Sequence, residues 1–276
     1  MGCPMGNPIL KGENMSKICP LYSGSTGNCT YIGTKECDIL IDAGASCKGI
    51  TEALKRVDSD IERIKYIAVT HSHSDHIKGL KAVLKRTGAV LIGTEKTLAE
   101  ICSRGYITEK NECINIDNGP FETGDIKISA FNTSHDAEGS CGYKVFLPDG
   151  KIFTICTDTG IITDEIRDTL TGSDVVLLES NHDIEMLKKG PYPPFLKVRI
   201  MSDIGHISNS ICACEIARLY KLGTKRFILG HLSLNNNTPI LAKSTSESAL
   251  MDLGAKNGKD YLLSVAKPQD NGVIII

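Results

Sequence analysis

The stretch Thr70-His71-Ser72-His73-Ser74-Asp75-His76 constrains this chain more than any other. It follows directly on Tyr66-Ile67-Ala68-Val69, a continuous apolar run of the kind that forms a strand buried on both faces. Three imidazoles and a carboxylate packed so closely repel one another on protonation and gain little from burial in a core. A divalent cation reverses that balance, because neutral imidazole and ionised carboxylate are the ligands it prefers. At the end of an extended segment His71 and His73 point the same way, since side chains alternate with period two. Asp75 and His76 follow where the chain turns into a helix, so they can face a second position nearby. One strand-to-helix loop therefore offers two ligands to each of two metal ions. A polar loop capping its helix with Asp75 would explain that one residue and leave the histidines unaccounted for.

Further ligands stand at strand ends. The sequence holds seven histidines. His135 lies just past a strand predicted over 126–131, Asp158 at the end of one over 152–157, and His231 at the end of one beginning at Arg226. A lone histidine is more often a hydrogen-bonded surface or core residue. Three candidate ligands at the same kind of structural address reinforce one another.

The rest of the chain fits one architecture. Paired strands are predicted over 29–33 and 38–42, with Ile39 and Ile41 on one face, then a helix over 46–57. Ile77, Leu80 and Leu84 keep helical spacing after the histidine loop. Strands follow over 142–147 and 175–178, a helix over 208–222 with Cys212, Ile216 and Leu219 on one face, a strand over 226–229, a helix over 239–253 and a strand over 261–266. Clustered strands with interspersed helices predict an α/β sandwich, two sheets back to back with helices outside. Residues 1–14 lack periodicity and read as a disordered leader or expression remnant, leaving 15–276 as the folded unit. Position 6 is Gly, so the N-terminal myristoylation pattern fails.

Composition narrows the function. The 276 residues are 41% hydrophobic and 23% charged, ordinary for a soluble domain. No apolar run approaches the roughly 18 residues of a membrane span. A net charge of −2 means that any phosphate recognition is local. Eleven cysteines, an odd number without a Cys-x-x-Cys pair, read as reduced thiols of a cytoplasmic protein.

His71-x-His73-x-Asp75-His76 followed by His135, Asp158 and His231, in that order, resembles the metallo-β-lactamase superfamily over essentially all of 15–276. That resemblance implies the αββα sandwich, two mixed sheets with helices on the outer faces and metals at one edge. It further implies that His71, His73 and His135 hold one metal, that Asp75, His76 and His231 hold a second, and that Asp158 bridges both. His and Asp ligands without Cys admit Zn, Mn or Fe.

Two histidines remain. His206, ahead of a helix that leads to the His231 strand, is placed like the His of the nuclease branch typified by tRNA 3′-processing endonuclease, and Glu179 matches that branch's glutamate. Hydrolysing a phosphodiester needs a proton for the departing alkoxide, and a histidine held by a carboxylate is a suitable donor. Capping the helix is the plainer role for His206, although Ser208 or Asn209 can do it. Ser23-Gly24-Ser25-Thr26-Gly27-Asn28-Cys29, Leu40-Ile41-Asp42-Ala43-Gly44, Leu178-Glu179-Ser180-Asn181-His182-Asp183, Gly205-His206-Ile207-Ser208-Asn209 and His231-Leu232-Ser233-Leu234-Asn235-Asn236-Asn237 together resemble the YycJ/WalJ family of bacterial metallo-hydrolases. The expected function is therefore two-metal phosphodiester hydrolysis in a 5′-to-3′ DNA exonuclease, hydroxide between the metals attacking phosphorus in line. His206, Glu179 and Asp75 are its catalytic residues. Asp42 and Asp136 are expected to orient ligand imidazoles, although a turn ahead of Ala43-Gly44 equally explains Asp42.

Expected substrate contacts rest on less. His182 is a phosphate clamp or a polar loop residue before a helix capped by Asn181 or Asp183. Ser25, Thr26 and Asn28 donate to phosphate or simply form a tight turn. Lys188, Lys189, Lys197 and Arg199, interleaved with Tyr192 and Phe195, read as a single-strand-binding run or as a solvated basic face. The span between Asp158 and His231 leaves no room for an inserted nucleic-acid domain, so a substrate groove belongs to the core. The competing functions are an RNA-processing nuclease, a hydrolase of small thioesters or phosphodiesters, and a non-catalytic nucleic-acid-binding regulatory module with structural metals.

Overall fold

The computed structural model describes residues 15–276, so the leader expected over 1–14 lies outside the described residues. The first half of the chain supplies β1 (Lys17–Tyr22), β2 (Cys29–Gly33), β3 (Asp38–Ile41), α1 (Cys47–Arg56), β4 (Ile64–Ala68), α2 (Ser74–Ile77), α3 (Leu80–Thr87), β5 (Val90–Gly93), α4 (Glu95–Ser103) and β6 (Cys113–Asn115). The second half supplies β7 (Phe121–Thr123), β8 (Ile126–Asn132), β9 (Cys141–Phe146), β10 (Ile152–Cys156), α5 (Asp164–Leu170), β11 (Val175–Glu179), α6 (Ile184–Lys189), α7 (Pro194–Ile200), α8 (Asn209–Lys221), β12 (Arg226–Gly230), α9 (Pro239–Met251) and β13 (Leu262–Val265). The last strand, β14 (Ile274–Ile275), returns to pair with β1.

Two mixed sheets result. One runs β14-β1-β2-β3-β4-β5-β6 and the other β13-β12-β11-β10-β9-β8-β7. Each combines an antiparallel half with a parallel half, β3 to β6 in the first and β10 to β13 in the second. Strand alternation builds the layers. Ile39, Ile41 and Ala68 face Tyr143, Phe153, Val175 and Leu177 between the sheets. Leu40 and Ile67 turn the other way to pack on Ile50, Leu54 and Val83 of α1 and α3. Val176 and Leu178 likewise pack on Cys212, Ile216 and Leu219 of α8 and on α9. The parallel strands are thus buried on both faces, and the layers are helix, sheet, sheet, helix, as expected.

Several helices begin where a side-chain oxygen accepts an orphan backbone N–H, with Ser46, Thr94, Thr163, Asp183, Ser208 and Thr238 as caps. The helix predicted from Ile77 through Leu84 is interrupted between α2 and α3. Gly79 lies there against the Ala45 carbonyl, where an added Cβ would come within 1.9 Å of the oxygen. Short or locally ambiguous elements such as β5, β6, β7, α4 and α5 to α7 were not separable by periodicity.

Candidate metal centre

The carboxyl ends of β3, β4, β10, β11 and β12 and the loop after β8 meet at one edge of the sandwich, the place where α/β sheets commonly bind ligands. Backbone conformation aims the side chains. Asp42, Asp158 and His231, each just past a strand, have φ of 63°, 57° and 52°. Left-handed backbone is uncommon outside glycine and is retained where the surroundings impose it. Each such residue turns its side chain sharply out of its strand.

Five imidazoles and two carboxylates converge here. The candidate ligand atoms of His71, His73 and His135 lie within 4.8 Å of one another, as do those of Asp75, His76 and His231 and those of His71, His76 and Asp158. Asp158 stands between the first two groups. Its Oδ1 lies 3.8 Å from His135 Nε2 and 3.5 Å from His231 Nδ1, and its Oδ2 lies 3.3 Å from His76 Nε2 without hydrogen-bond alignment. Every residue expected as a ligand is present at this edge.

The donor set fits divalent ions. His71 Nε2, Asp158 Oδ2 and His231 Nε2 are buried without a hydrogen-bond partner. Buried polar atoms are ordinarily satisfied, and three orphans at one point are what a cation would satisfy. Burial and neighbouring imidazoles hold His71 well below the usual histidine range, and His73 and His135 are lowered for the same reasons. These three are therefore neutral, the form that coordinates metal. His76 and His231 differ. Burial lowers them, but Asp42 and Asp158 carry His76 up to about 10, and Asp158, Asp75 and Glu179 carry His231 well above its ordinary value. A metal held beside them would displace those protons.

The candidate ligand rings are held from behind. Asp42 Oδ2 accepts from His76 Nδ1 at 2.7 Å, while Asp42 also accepts the Thr70 N–H at 2.8 Å. The Thr70 hydroxyl lies 2.9 Å from Asp42 Oδ2 and 3.1 Å from His71 Nδ1. His135 Nδ1 donates to the Gly205 carbonyl at 3.1 Å. From the outside, Arg104 donates to the Ser72 carbonyl in the middle of the histidine loop. Thr70, Gly205 and Arg104 carry no sequence signal of their role, because each acts through a contact distant in the chain.

Glu179 is fully buried and accepts from His206 Nδ1 and from His231 Nδ1, both at 2.8 Å. It also accepts the Thr159 and Ile207 N–H groups. Burial would raise this carboxyl, but the charge and hydrogen bonds of the two imidazoles bring it to about 2. Burial disfavours charged His206 too, yet Glu179 outweighs it and raises that imidazole. Glu179 thus holds His206, as expected, and a candidate ligand besides. Ser208 caps α8, so His206 is not needed for that.

A cavity of about 340 Å³ opens on the centre. His73, Asp75, His135, Asp158, His206 and His231 line it together with Tyr192, Leu196, Arg199 and Ile200. Ser25, Asn181 and Ser233 line it as well.

Six of the expected substrate contacts lie outside the cavity lining. His182 is 2% exposed and absent from the lining, because its backbone is locked to Ser208 and Asn209. Asn28 is buried and donates to Asp75 Oδ2 at 3.2 Å, its amide 3.0 Å from His76 Nε2, so it supports the histidine loop. Thr26 is exposed outside the lining. Lys188 and Lys189 pair with Glu185 one turn back, and Lys197 donates to the Lys188 carbonyl. Only Arg199 of that basic run reaches the cavity, and Ser25 alone of its loop does. Asp136 accepts from Arg199 at 2.5 Å and keeps Oδ1 3.4 Å from His135 Nε2 and 3.7 Å from His73 Nε2, close to both imidazoles rather than dedicated to one.

Fold and ligand geometry together define a metal-dependent hydrolase of the metallo-β-lactamase type. A family model described as beta-lactamase superfamily domain matches residues 38–232. The metallo-β-lactamase fold protein YhfI from Bacillus subtilis superposes with a TM-score of 0.66 at 14% identity, covering 95% of this chain and 99% of that one. The exodeoxyribonuclease YycJ of Bacillus anthracis is 36% identical over 252 residues, 90% of this chain and 94% of that one. The exodeoxyribonuclease WalJ of Streptococcus pneumoniae strain D39 is 38% identical over 257 residues, 91% and 94% of the two chains. The chain belongs to the β-lactamase superfamily and, within it, to the family of YycJ and WalJ. Among the described residues no helix is long and apolar enough to cross a membrane, and all ten described cysteines are free thiols.

Proposed function

We propose that this chain is a dinuclear metal-dependent phosphodiesterase, and specifically a 5′-to-3′ DNA exonuclease of the cytoplasm whose residues 15–276 form one hydrolase unit. The observation that carries the reading is His206, held by the buried Glu179, lining the same cavity as the histidine and aspartate cluster. A half-buried imidazole held by a carboxylate beside the cluster is suited to moving a proton at the bound phosphodiester. The names borne by YycJ and WalJ direct the choice of DNA.

His71, His73 and His135 would hold one ion, and Asp75, His76 and His231 another, with Asp158 shared between them. Divalent ions there would supply Lewis acidity toward a phosphate and a nucleophile at neutral pH. The protein's own groups do the remaining work. Glu179 fixes the His206 ring through Nδ1 and favours its protonated form. His206 then delivers that proton to the departing oxygen. Asp42 sets the His76 ring so that its Nε2 faces the cluster. Asp75, as candidate ligand and as the partner of Asn28, keeps the turn into α2 in place.

The test is a substrate panel of 5′-phosphorylated DNA, RNA and an acylated thiol, with Mn²⁺ or Zn²⁺ added. DNA is expected to be shortened, His73→Ala to abolish release, and His206→Asn to retain metal while lowering kcat by about 10²–10⁴-fold. Nucleotide release unchanged in His73→Ala, or preferential turnover of RNA or thioester, overturns the reading.

A further inference from the structure

Tyr192, Leu196, Arg199 and Ile200 line the cavity that opens on the candidate metal centre. Leu196, Arg199 and Ile200 share a face of α7 through i, i+3 and i+4 spacing and turn it to the cavity. Arg199 is the sole Lys or Arg lining that cavity among the described residues, and Tyr192 the sole phenyl-type ring. Both are anchored at one end only. Arg199 donates through Nε to Asp136 Oδ2, and neither Nη makes a hydrogen bond among the described residues. The anchor is itself tied to the metal centre, since Asp136 Oδ1 lies 3.4 Å from His135 Nε2. The guanidinium thus stands beside the candidate ligands with its two terminal nitrogens free for the paired oxygens of an anion. Tyr192 accepts at its hydroxyl from Asn235 Nδ2 at 2.9 Å. It sits in Pro191-Tyr192-Pro193-Pro194, where three prolines restrict the backbone and lower the entropy lost in presenting the ring.

We infer that Tyr192 and Arg199 form a subsite for a single unpaired nucleotide, the ring stacking on the base and the free guanidinium nitrogens taking a phosphate next to the metal centre. The inference rests on the nuclease reading and deepens it. A cavity of about 340 Å³ is at the small end of ligand pockets, room for one such unit rather than a run of them. Stacking on a side chain needs a base already out of the duplex, so a frayed or single-stranded end is the form this wall accepts.

The experiment uses the full chain loaded with metal. Thymidine 5′-monophosphate and thymidine are titrated calorimetrically into the wild type, Arg199→Gln and Tyr192→Leu, with melting temperature and metal content recorded for each. The same proteins are assayed on single-stranded DNA. Arg199→Gln is expected to weaken the monophosphate at least tenfold while changing thymidine less than twofold. Tyr192→Leu is expected to weaken both at least fivefold, and both variants to raise KM for DNA. Wild-type protein that fails to bind the monophosphate overturns the subsite. So does monophosphate binding unmoved by either substitution, and in that case DNA cleavage by the same samples leaves the nuclease reading standing. Conversely, monophosphate binding that depends on both residues, without DNA cleavage, supports the subsite and removes the nuclease reading.

Discussion

One buried carboxylate, Glu179, holds the rings of both His206 and His231, so the candidate proton donor and a candidate ligand are oriented by a single group. His182, three residues further on, shows how burial changes a histidine even beside the opposing charge of Glu179. Its Nδ1 lacks a partner, and burial lowers its pKa to about 4. Below about 6.5 the unfolded chain binds a proton there. The folded protein does not until about pH 4, so stability present above pH 6.5 is lost as the pH falls toward 4. At pH 5 the loss reaches about 2 kcal/mol. Urea unfolding at pH 7 and pH 5 should therefore show His182→Gln losing less stability on acidification than the wild type, by about that amount. Equal losses in the two proteins would contradict the assignment. Sequence alone left His182 open between phosphate clamp and loop residue, because its burial depends on α8 packing against the end of β11.

Among elements, the turn after β3 decides how the histidine loop sits. Gly44 meets that loop where Asn28 N–H donates to the Asp75 carbonyl at 2.7 Å, and a Cβ on Gly44 would come within 1.6 Å of the same oxygen. The obstacle is backbone, so it cannot swing aside. Gly44→Ala is expected to cost about 1–3 kcal/mol, lowering Tm by several degrees, and to reduce bound metal. Gly272→Ala, with nothing within 4 Å, serves as the control that should melt like wild type. Elemental analysis and calorimetry of the two variants check this. The long elements were legible because their apolar residues recur at the right period, as in α8 with Cys212, Ile216 and Leu219. The α2–α3 break was not, since it comes from Gly79 lying on a carbonyl of a distant turn.

At the scale of the whole molecule, two helix-on-sheet halves bring loops from both sheets to one edge, and the charged cluster there is the cost of that arrangement. An ion bound by the folded chain and not by the unfolded one stabilises by mass action, about 4 kcal/mol at a thousand times Kd. Chelation should therefore lower Tm, divalent ion should restore it, and Asp158→Asn should blunt both changes in a thermal melt. No shift on chelation would show that the cluster does not hold metal. What the sequence by itself determined was the chemistry-bearing set. His71, His73, Asp75 and His76 are adjacent in the chain, and His135, Asp158 and His231 each follow a recognisable strand, so local pattern sufficed. The tertiary structure alone decided which cations and polar groups reach the cavity. Lys188 and Lys189 end α6 and Lys197 lies outside the lining face of α7, while Asn28 belongs to the histidine loop's support although its own loop looks like a phosphate cradle. Candidate ligands are read from residue type and order, whereas access depends on which side of a packed element a side chain leaves, and packing is settled between segments far apart in the chain.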